Sequence, residues 1–168
     1  MSDITIESFR GTKDTMATIA ALHLQVRRWQ IAEGYAKFVN SLYNSQADLN
    51  NIYDFYIKTG GNFWVAKVTQ GDAGIVGFVG LKREKEDNAM LKRLAVLPAF
   101  QGRGVGTRLV QSAIDYASML GVQEIRLATG RQETARHIYD KLGFIEVGVD
   151  EPNNDWLMTL KVPDPSLI

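Results

Sequence analysis

Residues Leu91–Val110, which read LKRLAVLPAFQGRGVGTRLV, form the stretch that decides the fold. The apolar residues before Pro98 predict a β-strand, and those after the last glycine recur at the spacing of an amphipathic helix. Between them stand three alternating glycines, Gly102, Gly104 and Gly106. Because glycine has no side chain, consecutive backbone N–H groups there can point into one small volume at the positive end of the helix. The stretch therefore predicts a phosphate-binding turn between a strand and a helix.

Two common phosphate-binding motifs do not fit this turn. A P-loop requires lysine directly after its last glycine, whereas Gly106 is followed by Thr107. The dinucleotide fingerprint requires a third glycine, but that position holds Thr107 when counted from Gly102 and Leu109 when counted from Gly104. A kinase-type or GTPase-type nucleotide site and an NAD site are both disfavoured.

The turn instead resembles a motif of a known enzyme family. Residues 101–106, Gln-Gly-Arg-Gly-Val-Gly, match the Gln/Arg-x-x-Gly-x-Gly/Ala pattern of the GNAT superfamily of N-acetyltransferases, which take acyl groups from coenzyme A. A second pattern of that family, Ala-x-x-x-Tyr-x-x-x-Gly-Phe, is matched by Ala135, Tyr139, Gly143 and Phe144. The resemblance spans nearly the whole chain and is weakest before residue 60. It implies an α/β (α+β) fold with a mixed, mostly antiparallel central sheet flanked by helices, the acyl-CoA N-acyltransferase fold.

Composition narrows the classes of protein further. The chain has 168 residues, 45% of them hydrophobic, so we expect one domain over residues 1–168. A formal net charge of zero gives no general attraction to nucleic acid or to a membrane, and the N-terminus does not resemble a signal peptide, so we expect a cytoplasmic protein. The chain has no cysteine, which excludes a disulfide framework. Its two histidines, His23 and His137, lack metal-ligand spacing, and no metal is expected.

Hydrophobic periodicity predicts the order of elements. Helices are expected from about residue 12, at 47–58, from 105 to about 120 and at 132–142. Strands are expected at 4–9, 62–69, 74–81, 89–96, 125–128, 145–149 and 156–162. The charged residues 82–87 are expected to form a solvated turn. The strand-helix-strand order around residue 105 predicts that the strands at 89–96 and 125–128 are parallel.

The family resemblance implies acetyl-CoA as co-substrate, held mainly by backbone groups. The glycine turn would hold the pyrophosphate, and the pantetheine arm would pair with the end of the preceding strand. A backbone N–H at that strand end can also stabilise the oxyanion formed when an amine attacks the thioester. Gln132 stands three residues before Ala135, where the family often has a cofactor-contacting asparagine, and its longer amide could make the same contact. The implied cofactor-binding residues are Leu94, Ala95, Val96, Gln101, Gly102, Arg103, Gly104, Val105, Gly106, Thr107, Gln132 and Tyr139.

Catalytic roles are implied only in part. Tyr139 matches the family tyrosine that protonates the departing thiolate, and a phenol with an ordinary pKa of about 10 is present as the acid at neutral pH. Some members place a glutamate in the strand before the loop, where this chain has Met90, which cannot accept a proton. The general base therefore stays open: it can be a residue elsewhere, a relayed water can take the proton, or the substrate amine can arrive already neutral. Candidates elsewhere are Glu33, Asp54, Glu84, Glu133, His23 and His137.

The acceptor is expected to be a primary amine of a small molecule or a peptide. Trp29, Tyr35 and Tyr56 are candidate walls of its site, since family members build acceptor sites from the N-terminal region and the late strands. The leading hypothesis is an N-acetyltransferase; the alternative, suggested by Met90, is a non-catalytic acyl-CoA-binding sensor or regulatory module. The family often pairs through its late strands and helices, so a homodimer is a further expectation.

Overall fold

The computed structural model describes residues 4–32, 46–68, 74–130, 135–150 and 154–167. The strands are β1 (Thr5–Ser8), β2 (Asn62–Lys67), β3 (Ile75–Lys85), β4 (Asn88–Val96), β5 (Glu124–Thr129), β6 (Ile145–Asp150) and β7 (Asp155–Lys161). The α-helices are α1 (Lys13–Ala32), α2 (Val105–Leu120) and α3 (Arg136–Leu142). Short helical turns occupy Tyr53–Ile57, Pro98–Phe100 and Pro165–Leu167.

The described strands form one seven-stranded sheet in the order β1-β2-β3-β4-β5-β7-β6. β4 and β5 are parallel, and all other neighbours are antiparallel. This confirms the expected mixed, mostly antiparallel sheet and its parallel pair. Among the described residues, no helix is both long and apolar enough to cross a membrane.

Helices cover both faces of the sheet. Successive side chains of β2 point to opposite faces, so Trp64 and Ala66 join the buried cluster that contains α2, whereas Phe63 and Val65 join the cluster that contains α1. The four residues are all buried. This two-sided burial explains why β2 reads as a continuous apolar run rather than as an alternating pattern.

Helix α2 has the boundaries that the sequence predicts, because glycines with positive φ flank it. Gly104, with φ of 79°, precedes its first residue, and Gly121, with φ of 79°, follows its last. The N–H of Gly121 donates to the carbonyl oxygens of Ala117 and Ser118, which satisfies the end of the helix. The expected boundaries of this helix are confirmed.

Two expected elements are wrong. Residues 47–58 do not form an α-helix; residues 47–50 are in a turn and Tyr53–Ile57 form a single π-helical turn, in which the N–H of Lys58 donates to the carbonyl of Tyr53 at 2.8 Å. The solvated turn expected at 82–87 is confined to residues 86 and 87, because the β3–β4 ladder continues to the pair Lys85–Asn88. Backbone pairing extends β3 through charged residues, of which Lys82 and Arg83 are half-buried and Glu84 and Lys85 exposed.

Candidate active site

The parallel strands β4 and β5 separate along their length. They pair only from Asn88 to Met90 of β4 and from Glu124 to Arg126 of β5. Beyond Met90, β4 continues to Val96 and pairs only with β3, and β5 continues beside β7. We call the space between the unpaired ends the β4–β5 opening. The strand edges along it carry backbone N–H and C=O groups. An extended ligand can pair with these groups as an added strand would.

A β-bulge bends β4 at this opening. Arg93 has a φ of 67°, which is rare for a residue other than glycine. The β3 residues on either side of Val79 pair with Lys92 and Ala95, so Val79 faces two residues, Arg93 and Leu94. A bulge turns the strand away from its neighbour. A positive φ at a residue other than glycine costs conformational energy. Such a backbone conformation persists only where the surrounding contacts hold it.

The side chain of Arg93 is held by a buried network. Its Nε donates to Asp48 Oδ2 at 3.0 Å, and its Nη2 donates to Asp48 Oδ1 at 2.9 Å. Asp48 is 7% exposed and also accepts a hydrogen bond from the hydroxyl of Tyr56. The paired guanidinium and carboxylate satisfy each other in a place with little water. The network therefore fixes the bulge from the side of α1.

His23 on α1 completes the network. Its Nδ1 lies 3.1 Å from Gln46 Nε2, and its Nε2 lies 3.3 Å from Arg93 Nη1. Burial, and after it the charges of Arg93 and Arg27, lower the pKa of His23 to about 4. The imidazole is therefore neutral at pH 7 and a weak proton acceptor. Although His23 reaches the candidate site, these properties argue against the general-base role considered for it.

The glycine turn follows the unpaired end of β4 in the chain. Gly102 and Gly104 have φ of 75° and 79°, and a Cβ at either would meet nothing within 4 Å. The first intrahelical bond of α2 runs from the N–H of Arg108 to the carbonyl of Gly104, and no side chain caps this end. The first-turn N–H groups of Val105 to Thr107 thus have no intrahelical partner. Open space, free donors and the helix dipole suit an anion.

The other residues of the turn have different tasks. A Cβ at Gly106 would lie 2.7 Å from Cδ1 of Ile138, so this glycine permits close packing of α2 against α3. Gln101 Nε2 donates to the carbonyl of Val96 at 3.0 Å, which ties the turn to the end of β4. Arg103 is exposed, with its guanidinium carbon 5.4 Å from the centre of the Phe100 ring.

A cavity of about 270 Å³ lies beside the unpaired part of β4, between α1, β4 and α3. Leu94, Ala95 and Tyr139 line it, so the structure brings together three of the residues implied by the family resemblance. Tyr139 is 6% exposed and packs edge to face against Phe144 at 5.7 Å. The full lining is His23, Val26, Arg27, Gln30, Met90, Leu91, Lys92, Arg93, Leu94, Ala95, Ala128 and Tyr139.

Several candidates lie elsewhere. Tyr56 is fully buried in the core and does not line the cavity; nor do Trp29, Asp54, Glu84 and His137. The remaining candidates fall outside the described residues: Glu33, Tyr35, Gln132 and Glu133.

Charge is the feature of this cavity that sequence reasoning missed. Its charged side chains among the described residues are Arg27, Lys92 and Arg93, and none of its described lining residues is acidic. A signal did exist, since Lys92 and Arg93 interrupt an otherwise apolar strand. No sequence signal pointed to Arg27 or to Asp48. In the described part of the chain, no group of three or more His, Asp or Glu side chains could hold a metal ion.

Comparison with known proteins agrees with this geometry. A family profile described as "Acetyltransferase (GNAT) domain" matches residues 59–146. An N-acetylaspartate synthetase of Xenopus tropicalis is 34% identical over 109 residues, which are 63% of this chain and 39% of the relative. A [ribosomal protein bS18]-alanine N-acetyltransferase of Haemophilus influenzae is 36% identical over 75 residues, which are 45% of this chain and 51% of the relative. The chain thus spans about two fifths of the first of these relatives and half of the second.

Solved structures show the same fold over almost the whole chain. An acetyltransferase of the GNAT family from Staphylococcus aureus has a TM-score of 0.79 at 22% identity, and the match covers 96% of this chain and all of that one. The PaiA N-acetyltransferase of Thermoplasma acidophilum, solved in complex with coenzyme A, has a TM-score of 0.74 at 22% identity and covers 94% and 99%. Together with the profile match, they confirm the fold that the two sequence motifs implied.

Proposed function

The chain belongs to the GNAT family of acetyltransferases, and on that premise we propose that it moves an acetyl group from acetyl-CoA to a primary amine of a small molecule or peptide. One observation carries this proposal: Leu94 and Ala95 at the unpaired end of β4 line the cavity at Tyr139, and the chain leads from that strand end into the open glycine turn. A ligand with a diphosphate at one end, an extended arm and a reactive group at the other end fits this arrangement.

The residues present fit coenzyme A. The open space over Gly102 and Gly104 and the first-turn N–H groups of α2 would hold the pyrophosphate, and the unpaired edge of β4 at Leu94–Val96 would pair with the amides of the pantetheine arm. Most of these groups belong to the backbone. The side chain of Gln101 contributes by holding the turn against Val96.

Acetyl-CoA supplies an acetyl group activated as a thioester. In the proposed step the amine nitrogen forms a bond to the acetyl carbon, the carbon–sulfur bond breaks, the nitrogen loses a proton and the thiolate gains one. Tyr139 lines the cavity and is the proposed donor of that proton. A backbone N–H of Leu94 or Ala95 is proposed to donate to the carbonyl oxygen while negative charge develops on it.

The amine must attack as the neutral base. Met90 lines the cavity and cannot take a proton, and His23 has a pKa lowered to about 4, so neither supplies a strong base at neutral pH. The positive charge of Lys92, which lines the cavity, disfavours a second cation beside it and lowers the pKa of a bound ammonium group. We propose that the cavity thereby favours the neutral amine, which passes its proton to water after attack.

The names of the relatives point to two kinds of acceptor, a free amino acid and the alanine of a ribosomal protein. The deciding experiment incubates the purified protein with acetyl-CoA and a panel of amines and amino-terminal peptides, and it measures free thiol and acetylated product. Acceptor-dependent thiol release with matching product supports the proposal. Binding of acetyl-CoA without release for any acceptor would contradict it and favour the sensor.

Two expectations remain proposals of ours. Acetyl-CoA is made and used inside cells, which supports a cytoplasmic location.

The outer face of the edge strand β6 exposes Ile145, Val147 and Val149, at 64%, 57% and 41%, and an apolar edge of this kind supports a homodimer. Light scattering on the purified protein measures the mass in solution; twice the monomer mass is expected.

A further inference from the structure

We propose that Asp48 and Arg93 are positioning residues for the proposed acetyl transfer. Their buried ion pair fixes the bulge in β4, and the bulge sets where the strand end at Leu94 and Ala95 lies relative to Tyr139. Neither charged group takes part in the bond changes. The inference rests on the proposed function and deepens it, because it names two side chains on which the rate of that reaction depends.

The bulge decides which part of β4 reaches the cavity. Between two aligned pairs β3 advances by two residues, whereas β4 advances by three, from Lys92 to Ala95. β4 therefore carries one extra residue at this point. Leu94 and Ala95 line the cavity together with Tyr139. A shift of the bulge would move the strand end that the thioester is proposed to meet.

The backbone at Arg93 depends on contacts that hold it. Its φ of 67° lies in the left-handed region, which residues with a side chain disfavour. Arg93 and Leu94 have no aligned partner in the β3–β4 register, so the ladder does not fix their conformation. The side chain of Arg93, in contrast, has defined contacts. These contacts keep the residue out of the extended conformation that it would otherwise favour.

The ion pair fixes orientation as well as distance. Nε and Nη2 of Arg93 donate to the two carboxylate oxygens of Asp48, at 3.0 and 2.9 Å. Two parallel hydrogen bonds from a planar guanidinium restrict its rotation, which one bond from a lysine would not do. The side chains of Arg93 and Asp48 are 19% and 7% exposed, so water screens the pair little.

The anchor is itself fixed against the sheet. Tyr56, whose hydroxyl donates to Asp48, is fully buried, and burial raises its pKa, so the hydroxyl keeps its proton. A Cβ at Gly80 would lie 2.5 Å from Cε1 of the Tyr56 ring, so Gly80 is what lets this ring pack on β3. Gly80 pairs with Lys92, the residue before Arg93. The carboxylate is thus held directly beside the bulge.

Loss of this anchor should affect the rate more than the binding of acetyl-CoA. Reacting groups must be held within about 0.5 Å of the productive geometry, so a small shift of the strand end slows the reaction. Binding of the donor, in contrast, is proposed to be shared with the glycine turn, where Gly102 and Gly104 leave open space. We therefore expect a change in kcat with little change in KM for acetyl-CoA.

Three variants test the pair. Asp48→Asn keeps the size of the side chain and removes its charge, and Arg93→Gly adopts a φ of 67° without strain but has no guanidinium. Each should lower kcat at least about tenfold and change KM for acetyl-CoA less than about threefold. Tyr56→Phe keeps the packed ring and the ion pair, so its kcat should fall by only about threefold. A kcat of wild-type size in Arg93→Gly would show that positive φ alone suffices, and would overturn the inference.

A double-mutant cycle shows whether Asp48 acts through Arg93. Asp48 does not line the cavity, whereas Arg93 does, so a lower kcat in Arg93→Gly alone could come from a lost contact with the acceptor. If Asp48 acts only through Arg93, then Asp48→Asn should change kcat less than about twofold when added to Arg93→Gly. Independent losses that multiply in the double variant would contradict the positioning role.

Two controls separate position from charge and from stability. Glu124→Gln removes a carboxylate from another pair, with Arg126 at 2.6 Å, away from the cavity. Ile19→Ala removes a buried side chain of α1 that does not line the cavity, and so lowers stability through lost packing. Both variants should keep kcat within about twofold at a temperature where circular dichroism shows them folded.

Amide hydrogen exchange, followed by NMR, tests the same pair without turnover. The ratio of the exchange rate of Ala95, beside the bulge, to that of Leu109, in α2, should rise at least about tenfold in Asp48→Asn. A raised ratio with unchanged kcat would overturn the positioning role and leave the proposed function standing. If no amine is acetylated by the wild type, the proposed function fails, and the exchange ratio alone decides whether the pair fixes the strand end. An unchanged ratio overturns the inference in either case.

Discussion

The two ends of the β4–β5 opening are built in different ways. At the proposed donor end, the glycine turn and the unpaired part of β4 offer backbone groups to a ligand, and two glycines leave space that it can fill. At the acceptor end, side chains from α1, β4 and α3 form a cavity, and a buried network of Asp48, Arg93 and His23 supports it. The donor is shared by a whole family, so a fixed backbone suffices, whereas the choice of acceptor depends on individual side chains.

The largest expected effect is a loss of stability when the buried network at the acceptor end loses Asp48. Asp48→Ala leaves the guanidinium of Arg93 and the hydroxyl of Tyr56 without their buried partner, which should lower the free energy of unfolding by about 3–5 kcal/mol. Urea denaturation measures it. The control is Asp140→Ala, which breaks an exposed pair with Arg136 and should cost less than about 1 kcal/mol. Similar losses for the two variants would contradict the view that the network holds the acceptor end together.

Acid should also lower the free energy of unfolding, through His23 in the network at the acceptor end. The pKa of His23 is lowered from 6.5 in the unfolded chain to about 4 in the folded protein, so the unfolded state binds more protons between these values. The contribution of His23 to the free energy of unfolding should therefore fall as the pH drops from about 6.5 to about 4, by about 3 kcal/mol in all, and stay level below that.

Denaturation of the wild type and His23→Asn at several pH values isolates this contribution as the difference between the two curves. The chain has two histidines, so the variant His137→Asn also assigns the His23 signal for a direct NMR titration. A midpoint near 4 is expected. A midpoint at or above 6.5 would show that burial and the neighbouring arginines do not disfavour the charged imidazole of His23 in the folded protein.

Tyr139 lines the cavity, and loss of its hydroxyl should slow the chemical step without weakening the binding of acetyl-CoA. Tyr139→Phe keeps the ring packed against Phe144 and removes the proposed acid, so kcat should fall about 100-fold or more while KM for acetyl-CoA changes less than about twofold. Steady-state kinetics measure both. Tyr116→Phe is the matched control, because Tyr116 does not line the cavity, and it should leave kcat unchanged. An unchanged kcat in Tyr139→Phe would remove the acid role.

The difference between the two ends also decides what the sequence could predict. The glycine turn and α2 were predicted because glycine spacing and helical periodicity are local. The π-helical turn at Tyr53–Ile57 was missed because an apolar pattern does not distinguish it from an α-helix. The acceptor network was missed because Arg93 lies 45 residues from Asp48 and 70 from His23 in the chain, and only the folded sheet brings them together.

Two variants, Gly104→Val and Lys92→Met, separate the two ends of the opening most directly. For each, KM for acetyl-CoA and KM for the amine are measured with the best amine found in the thiol-release assay. Gly104→Val places a side chain in the open space of the turn at a φ of 79° and should raise KM for acetyl-CoA at least about tenfold, leaving the acceptor constant within about twofold. Lys92→Met alters a side chain that lines the cavity and should change the Michaelis constant for the amine at least about tenfold, leaving KM for acetyl-CoA within about twofold. If Gly104→Val leaves KM for acetyl-CoA unchanged, or if each variant raises both constants alike, the division into a backbone-built donor end and a side-chain-built acceptor end is wrong.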